Sequence, residues 1–337
     1  MKAAFITGVT GQDGSYLAEF LLEKKYTVFG LARYCSERKH ERIDHLKNVE
    51  SFHLLEGDLT DTARINSIIN SFEKYDIVEV YNLGAQSHVK VSFDQPEYTT
   101  NVDALGTLRI LEAIRKTNFS SKFKFYQAGT SEMFGKIQEP FQNENTPFYP
   151  RSPYGVSKLF GYWITKNYRE AYGMFACTGI LFNHESERRG SEFVTRKITL
   201  GLAEFLKTGK PIELGNLDAQ RDWGHAEDYV KAMWLMLQRP VAEDLVVASG
   251  ETHSIREFIT EALGVVGHEI HWNGTGVDET GTDEFGNVVV RVNPNYFRPA
   301  EVDVLMGDAS KAREVLNWEP TIKFEDLVKR MVSNDCK

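Results

Sequence analysis

Ala3-Ala4-Phe5-Ile6-Thr7-Gly8-Val9-Thr10-Gly11-Gln12-Asp13-Gly14 is the stretch from which the fold is read. Ala3–Thr7 is a short apolar run bounded by glycine, the pattern of a strand buried on both faces. The segment after Gly14 carries Leu17, Phe20, Leu21 and Lys24 at helical spacing. A second apolar run, Tyr26–Leu31, follows. Strand, glycine-rich turn, helix and strand in succession form the first βαβ unit of a dinucleotide-binding fold. The glycine spacing is G-x-x-G-x-x-G rather than G-x-G-x-x-G, and the physical demand is the same. Backbone amides must come close to a diphosphate, and a helix N-terminus must point at it.

The alternation continues outward from this unit. Phe52–Glu56, Ile77–Leu83, Phe123–Ala128 and Phe175–Phe182 read as strands. Between them lie a helix with Ile65, Ile68, Ile69 and Phe72 on one face, a long helix after Pro96 with Val102, Leu105 and Leu108 inward, and a helix containing Tyr154. This rhythm predicts an α/β fold with a doubly wound parallel Rossmann sheet. Ligands bind such sheets beyond the carboxyl ends of the strands. Gly8, Asp58, Gly84, Thr130 and Asn183 all follow strand ends and are expected to converge on one crevice. After Asn183 the pattern is irregular. Leu245–Ala248 reads as a last strand of the main sheet, and Gly274–Asn287 as an exposed hairpin or loop. The expected division is a dinucleotide-binding domain over 1–185, with 225–250 returning to it, and a smaller mixed α/β substrate lobe from 186–224 and 251–337.

Composition excludes several classes. The 337 residues are 42% hydrophobic and 26% charged, with a formal net charge of −9 and both signs interspersed. That argues against a broad nucleic-acid surface. The three cysteines, Cys35, Cys177 and Cys336, have no metal-ligand spacing, so no metal site is indicated. No apolar run approaches the ~20 residues that span a bilayer, and no leader pattern precedes the first strand. The expected location is the cytoplasm, with no membrane partner.

Tyr154-Gly155-Val156-Ser157-Lys158 places a phenol and an amine one helical turn apart. A neighbouring ammonium favours the phenolate, and the pair is suited to taking a proton from a sugar hydroxyl. By itself the spacing also fits a solvated lysine beside a packed tyrosine. The cluster Thr130-Ser131-Glu132 lies between the glycine loop and this helix. In a strand, the side chains of Thr130 and Glu132 would share a face.

The second strand ends in Leu31-Ala32-Arg33-Tyr34, without the carboxylate that commonly holds a ribose 2′-hydroxyl in NAD sites. A guanidinium at Arg33 suits a 2′-phosphate. The expected cofactor is therefore NADP, with Arg42 a second candidate for that contact.

Several longer stretches narrow the reading. GVTGQDGSYLAEFLLEK from Gly8, NLGAQSHV from Asn82, AGTSEMFG from Ala128, SPYGVSK from Ser152, LFNHESERRG from Leu181 and QRDWGHAEDYV from Gln220 together resemble the GDP-mannose 4,6-dehydratase family. That family belongs to the extended short-chain dehydrogenase/reductases, and the resemblance runs from near Lys2 to about Trp318. It implies that Thr130, Glu132 and Tyr154 are catalytic, with Lys158 supporting Tyr154 and the nicotinamide ribose. It implies cofactor contacts at Gly8, Thr10, Gly11, Gln12, Asp13, Gly14, Arg33, Asp58, Leu59, Leu83, Gly84, Ala85, Gln86, Ser87, Tyr98, Lys158, His184 and Arg189. Ser87, Asn183, Val194, Lys197, Arg221, Arg298 and Glu301 are the implied contacts of a GDP-mannose substrate. A homodimer or homotetramer is implied, with the Arg33–Arg42 loop near a neighbouring subunit's cofactor. The sequence departs from the family at Tyr34, where a second Arg is usual, and at Met133-Phe134, where Leu-Tyr is common.

The implied reaction is an internal redox dehydration. Tyr154 takes the C4 hydroxyl proton while hydride leaves C4, and Thr130 steadies the oxygen. Glu132 then takes the C5 proton and assists loss of the C6 hydroxyl, and hydride returns to C6. A 4-keto-6-deoxy-sugar reductase or epimerase on the same fold, a UDP- or dTDP-sugar dehydratase, and a non-catalytic nucleotide-binding protein are the alternatives. A simple reductase needs Tyr154 and Lys158 but no carboxylate at C5.

Overall fold

The computed structural model describes residues 1–35, 40–296 and 304–337. The chain begins with β1 (Lys2–Thr7), α1 (Gln12–Glu23), β2 (Thr27–Ala32), β3 (Phe52–Glu56), α2 (Thr62–Asn70) and β4 (Ile77–Asn82). Next come α3 (Val89–Asp94), α4 (Pro96–Thr99), a π turn over Thr100–Leu105, α5 (Gly106–Arg115), β5 (Phe123–Ala128), α6 (Pro153–Tyr172) and β6 (Phe175–Leu181). Then follow β7 (Asn183–Glu185), α7 (Val194–Thr208), β8 (Ile212–Leu214), β9 (Gln220–Arg221), β10 (Trp223–His225), α8 (Ala226–Gln238) and β11 (Leu245–Val247). The remainder is β12 (His253–Ser254), α9 (Ile255–Val265), β13 (His271–Asn273), β14 (Thr280–Thr282), β15 (Val288–Val292), β16 (Val304–Leu305), α10 (Ser310–Leu316) and α11 (Phe324–Asp335).

Seven strands form one parallel sheet in the order β11-β6-β5-β4-β1-β2-β3. The chain runs outward from β1 to β3, then crosses back to lay β4 on the other side of β1. The strand order therefore reverses between β1 and β4, where Thr7 is in register with Asn82. A crevice opens at such a point because the flanking connections leave in opposite directions. Leu245–Val247 pairs with Gly179–Leu181 as the expected edge strand.

Successive side chains of a strand face opposite sides of the sheet, and β1 uses both. Ala4 and Ile6 meet Leu17 and Leu21 of α1 and Met233 and Leu237 of α8. Ala3 and Phe5 meet Ile65 and Ile69 of α2 and Ile110 and Ile114 of α5. All of these are fully buried, and burying each large side chain contributes on the order of 1.5–3 kcal/mol. A third cluster joins α7, α9 and α11 to a four-stranded sheet ordered β13-β14-β15-β8, through Leu202, Phe258, Val290 and Leu327. The Gly274–Asn287 stretch supplies β14, and Gly281 there packs under Ile270 and Trp272. No helix among the described residues is long and apolar enough to cross a membrane.

The helix after Pro96 departs from its expected form. Its middle is a π turn, with one residue more per turn than an α-helix. The extra residue advances the phase of the apolar face. Val102 stays inward, but Leu105 turns out and is 40% exposed.

Candidate active site

The crevice at the strand reversal is built on close backbone approach. Gly8 has φ +70°, and a Cβ there would lie 2.8 Å from the Cα of Gly84. A Cβ on Gly14 would lie 2.3 Å from the carbonyl oxygen of Gly8. The first glycine thus seats β1 against the turn after β4, and the third seats α1 against the loop. The Thr7 hydroxyl accepts the Gly84 N–H at 2.9 Å and donates to Asn82 Oδ1 at 2.7 Å. Asn82 in turn donates to Gln127 Oε1 at 2.8 Å, so the floor of the crevice is one buried hydrogen-bond network across three strands. Gly11 precedes α1 with no side-chain cap, which leaves the first helical amides free to face an anion.

These elements enclose a cavity of about 890 Å³. It is lined by Gly8, Thr10, Gly11, Gln12, Asp13, Gly14, Arg33, Arg42, Asp58, Leu59, Leu83, Gly84, Ala85, Ser87 and Tyr98. Thr130, Glu132, Tyr154, Lys158, Asn183, His184, Arg189, Val194, Lys197 and Arg221 complete the expected set in the same cavity. Gln86 is the expected contact that does not line it. Its side chain turns back to the His88 N–H and the Thr99 hydroxyl, and it braces the loop instead. Arg298 and Glu301 lie outside the described residues.

At the end of β2 the Arg33 guanidinium donates to the Tyr98 hydroxyl at 2.6 Å. Asp58 accepts from the Thr60 N–H and hydroxyl at 2.8 and 2.7 Å, which fixes the turn after β3. Arg42 donates to the carbonyls of Arg188 and Thr10. At the mouth of α1, Asp13 Oδ2 lies 2.7 Å from His184 Nε2, and the imidazole stacks on Tyr229 with centroids 4.5 Å apart. Burial opposes the Asp13 charge, but the His184 imidazole and the Gln12 amide hold its carboxyl at about 2. Burial also opposes a charge on His184, and the Asp13 carboxylate outweighs it and raises the imidazole above its usual value. The Arg189 guanidinium stacks on Phe193 at 3.7 Å and pairs with Glu185 at 2.9 Å.

The chemical end of the cavity is the junction of β5 with α6. The strand geometry considered for Thr130 and Glu132 is not adopted, since both follow the end of β5. β5 ends at Ala128, and residues 131–133 form a single 3₁₀ turn with Thr130 as its cap. The Thr130 hydroxyl accepts the Glu132 N–H at 3.2 Å, a local bond that competes with extended structure. The turn brings both side chains to the cavity without strand periodicity. Ser152 caps α6 by accepting the Gly155 N–H at 3.0 Å, and Pro153 occupies the first turn. A Cβ on Gly155 would lie 2.7 Å from the carbonyl oxygen of Glu132. Gly155 therefore lets the Glu132 turn rest on the start of the helix that carries Tyr154. No motif singles out this glycine, because its role depends on a neighbour more than twenty residues away.

The Tyr154 phenol hydrogen-bonds Thr130, and Lys158 Nζ lies 5.9 Å from the centre of its ring. Lys158 is 3% exposed and donates to the Ala128 carbonyl at 3.0 Å. The expected depression of the phenol is not found for the protein alone. Burial, and next the Asp103 carboxyl, push Tyr154 well above its usual value, against the Thr130 hydrogen bond. Burial likewise lowers the Lys158 amine. At the opposite end, Lys197 Nζ sits 3.6 Å from the centre of the Tyr296 ring, and Arg221 donates to the Gln220 carbonyl. Arg151 and Phe93 also line the cavity and carried no motif by which to find them.

The sequence is similar along its whole length to characterised enzymes. It is 56% identical to a GDP-mannose 4,6 dehydratase of Drosophila melanogaster, covering 100% of this chain and 86% of the relative. A human GDP-mannose 4,6 dehydratase is 54% identical, with coverage of 100% and 92%. Among solved structures, a dTDP-glucose 4,6-dehydratase of Streptomyces venezuelae with NAD and TYD bound superposes with a TM-score of 0.82 at 20% identity, over 99% of this chain and 96% of that one. A UDP-glucose 4-epimerase of Thermus thermophilus in complex with NAD gives 0.80 at 23% identity, over 99% and 98%. The last two similarities bear on the fold alone. The sequence model of GDP-mannose 4,6 dehydratase matches residues 5–331, and the chain belongs to that family.

Proposed function

We propose that this enzyme converts GDP-mannose to GDP-4-keto-6-deoxymannose and water, using NADP as an internal hydride carrier. The observation that carries the reading is the placement of Tyr154, Thr130 and Glu132 in one cavity at one turn–helix junction. A phenol, a hydroxyl and a carboxyl converging there suit successive chemistry on C4, C5 and C6 of one ring, whereas a simple reductase has no use for the carboxyl.

The cradle made by Gly8 and Gly14, which have no room for a Cβ, beside Gly84 suits a diphosphate at the start of α1. Arg33 and Tyr98, held together at the end of β2 with no carboxylate at the ribose position, favour a 2′-phosphate and hence NADP over NAD. When bound, the dinucleotide would supply the hydride acceptor for C4 in its oxidised form and the hydride donor for C6 in its reduced form. Tyr154 takes the C4 hydroxyl proton, and Thr130 donates to the oxygen as charge develops on it. Lys158 holds positive charge beneath the phenol. Glu132 takes the proton from C5 and delivers it to the C6 hydroxyl, which leaves as water. Lys197 and Arg221 sit where a diphosphate needs cations, and Asn183 and Val194 line the same wall.

The test is proton NMR of GDP-mannose incubated with the protein in D₂O, with NADP⁺ and NAD⁺ in parallel and no reductant. The expected result is a C6 methyl signal with deuterium at C5, no net change of cofactor, and faster formation with NADP⁺. No reaction of GDP-mannose, with NADPH consumed by a 4-keto-6-deoxy sugar instead, would overturn the dehydratase reading. Equal or faster rates with NAD⁺ would overturn the NADP assignment alone.

The enzyme is further read as a homo-oligomer. Val156, Phe160 and Trp163 form an exposed stripe on α6 at helical spacing, 55%, 39% and 52% exposed. A second copy of the chain is the occupant that suits it, since α6 carries Tyr154 and Lys158 on its other face and gains rigidity from a partner. Sedimentation equilibrium is expected to give at least twice the chain mass, falling to a single chain for Trp163→Asp. A monomer at micromolar concentration for the unchanged chain would sink this reading.

A further inference from the structure

Glu185 is a buried carboxyl in the cavity to which the chemistry above gives no part. It ends β7 within the stretch LFNHESERRG, lines the cavity and is 2% exposed. Its Oε2 has two partners. The Thr195 hydroxyl donates to it at 2.6 Å, and Arg189 Nε lies 2.9 Å from it. The Nε–H has no aligned acceptor, so the second contact is an ion pair rather than a directed hydrogen bond. Burying a carboxylate is unfavourable unless a charge and donors compensate it. Here the compensating groups come from two elements, the turn after β7 and the start of α7.

Arg189 is held on two sides and open on a third. The Glu185 carboxyl sits against Nε, and the guanidinium lies over the Phe193 ring, 3.7 Å from its centre. The Arg189 backbone N–H donates to the Ser186 carbonyl at 3.0 Å, which fixes the turn. The two outer guanidinium nitrogens have no hydrogen-bond acceptor among the described residues, and the side chain lines the cavity at 17% exposed. That outer edge is the one with which a guanidinium grips two phosphate oxygens side by side. An arginine side chain is long and flexible, and ordering it only on binding weakens a ligand. A carboxylate that orders it beforehand removes that cost. Thr195 gives the same carboxyl a second reach. It is fully buried in the first turn of α7, the helix whose Val194 and Lys197 also line the cavity.

We infer, on the reading of this cavity given above, that Glu185 is a positioning residue. Through Arg189 it holds a guanidinium ready for the diphosphate of a bound nucleotide, and through Thr195 it ties that guanidinium to the helix of Val194 and Lys197. Two nucleotides enter the cavity on that reading, and both carry a diphosphate.

The test uses four full-length proteins: the parent, Glu185→Gln, Arg189→Gln and the double variant. Each is titrated by calorimetry with NADP⁺ and, separately, with GDP. Glutamine keeps an oxygen for Thr195 and removes only the charge. Glu185→Gln is expected to raise the Kd of at least one of the two ligands by about tenfold, the equivalent of one long side chain ordered on binding instead of before it. A weaker NADP⁺ places the guanidinium on the dinucleotide, and a weaker GDP places it on the sugar nucleotide. In the Arg189→Gln background the same change at 185 is expected to move that Kd by less than about twofold, because the group it acts through is gone. Equal factors with and without Arg189, or no change in either Kd, overturn the inference and leave Glu185 a brace of the turn. A parent that binds neither ligand overturns both the reading of the cavity and the role given to Glu185. Glu185→Asp withdraws the charge by one methylene and serves if the glutamine variant does not fold. It is expected to weaken binding only when Arg189 is present, and weakening that persists without Arg189 overturns the inference there as well.

Discussion

Tyr154→Phe is expected to lower turnover of GDP-mannose by a factor on the order of 10² or more, the usual worth of a positioned proton acceptor. The substitution removes one oxygen from a side chain that is 8% exposed and leaves its ring in place. Stability is therefore expected to change little, and binding of the dinucleotide hardly at all. The Thr130 hydroxyl loses the phenol but still accepts the Glu132 N–H. The size of the effect follows from the electrostatics. In the protein alone, burial and Asp103 hold the phenol well above its usual value. The Thr130 hydrogen bond and the Arg189 guanidinium oppose them. A site that assembles three charged groups around one phenol gains nothing from them once the oxygen is gone. The measurement is a steady-state assay of 4-keto product at saturating substrate; near-normal turnover would remove Tyr154 from the mechanism.

Glu132→Gln is expected to divide the reaction in two. Product formation should fall by a factor on the order of 10² to 10⁴, because proton removal from C5 and proton delivery to the C6 oxygen both pass through this carboxyl. Oxidation at C4 should survive, since Tyr154, Thr130 and Lys158 are untouched. Mixing the variant with GDP-mannose and NADP⁺ should then give a stable absorbance at the reduced nicotinamide band, up to about one equivalent per site. The glutamine fits, because the turn is fixed by backbone contacts. The Glu132 N–H bonds to Thr130, and the Glu132 carbonyl rests on Gly155. Absence of that absorbance, with Tyr154 intact, would show that the carboxyl acts before or during C4 oxidation and not after it.

Much of this site was legible because its parts are local. The glycine loop, α1 and β2 follow from spacing alone, and the crevice between β1 and β4 follows from strands that must run parallel. Tyr154 and Lys158 lie on the helix expected for them. What could not be read depends on contacts between distant segments. Asp103 sits in a run of residues that reads as ordinary helix but is found buried in a π turn. Gly155 carries no signal of its own in the sequence, and the Glu132 carbonyl packed against it explains it. Period two would put Thr130 and Glu132 on one face only in a strand, but β5 ends at Ala128, where the apolar run ends, and a hydroxyl cap shapes the turn that follows. Leu105, expected inward, is 40% exposed at the end of the same π turn.

Arg221 reaches the cavity from a two-residue strand, and the residue beside it shows how the walls are held. Asp222 is fully buried and accepts N–H groups from Ser249, Gly250 and Gly307, with the Ser249 hydroxyl as a fourth donor. A Cβ on Gly307 would lie 2.3 Å from the Cβ of Ala248. Three stretches far apart in the chain are thus clamped by one acid, and three of its four donors are main chain. Backbone amides are common to every residue except proline, so this junction places few demands on side-chain identity. An acid at 222 and a bare backbone at 307 are required, and Ser249 can change at the loss of a single hydrogen bond. Between these points the chain is free to drift, lengthen or shorten. The cavity wall that carries Arg221 can therefore be rebuilt for other ligands without disturbing the joint that holds it.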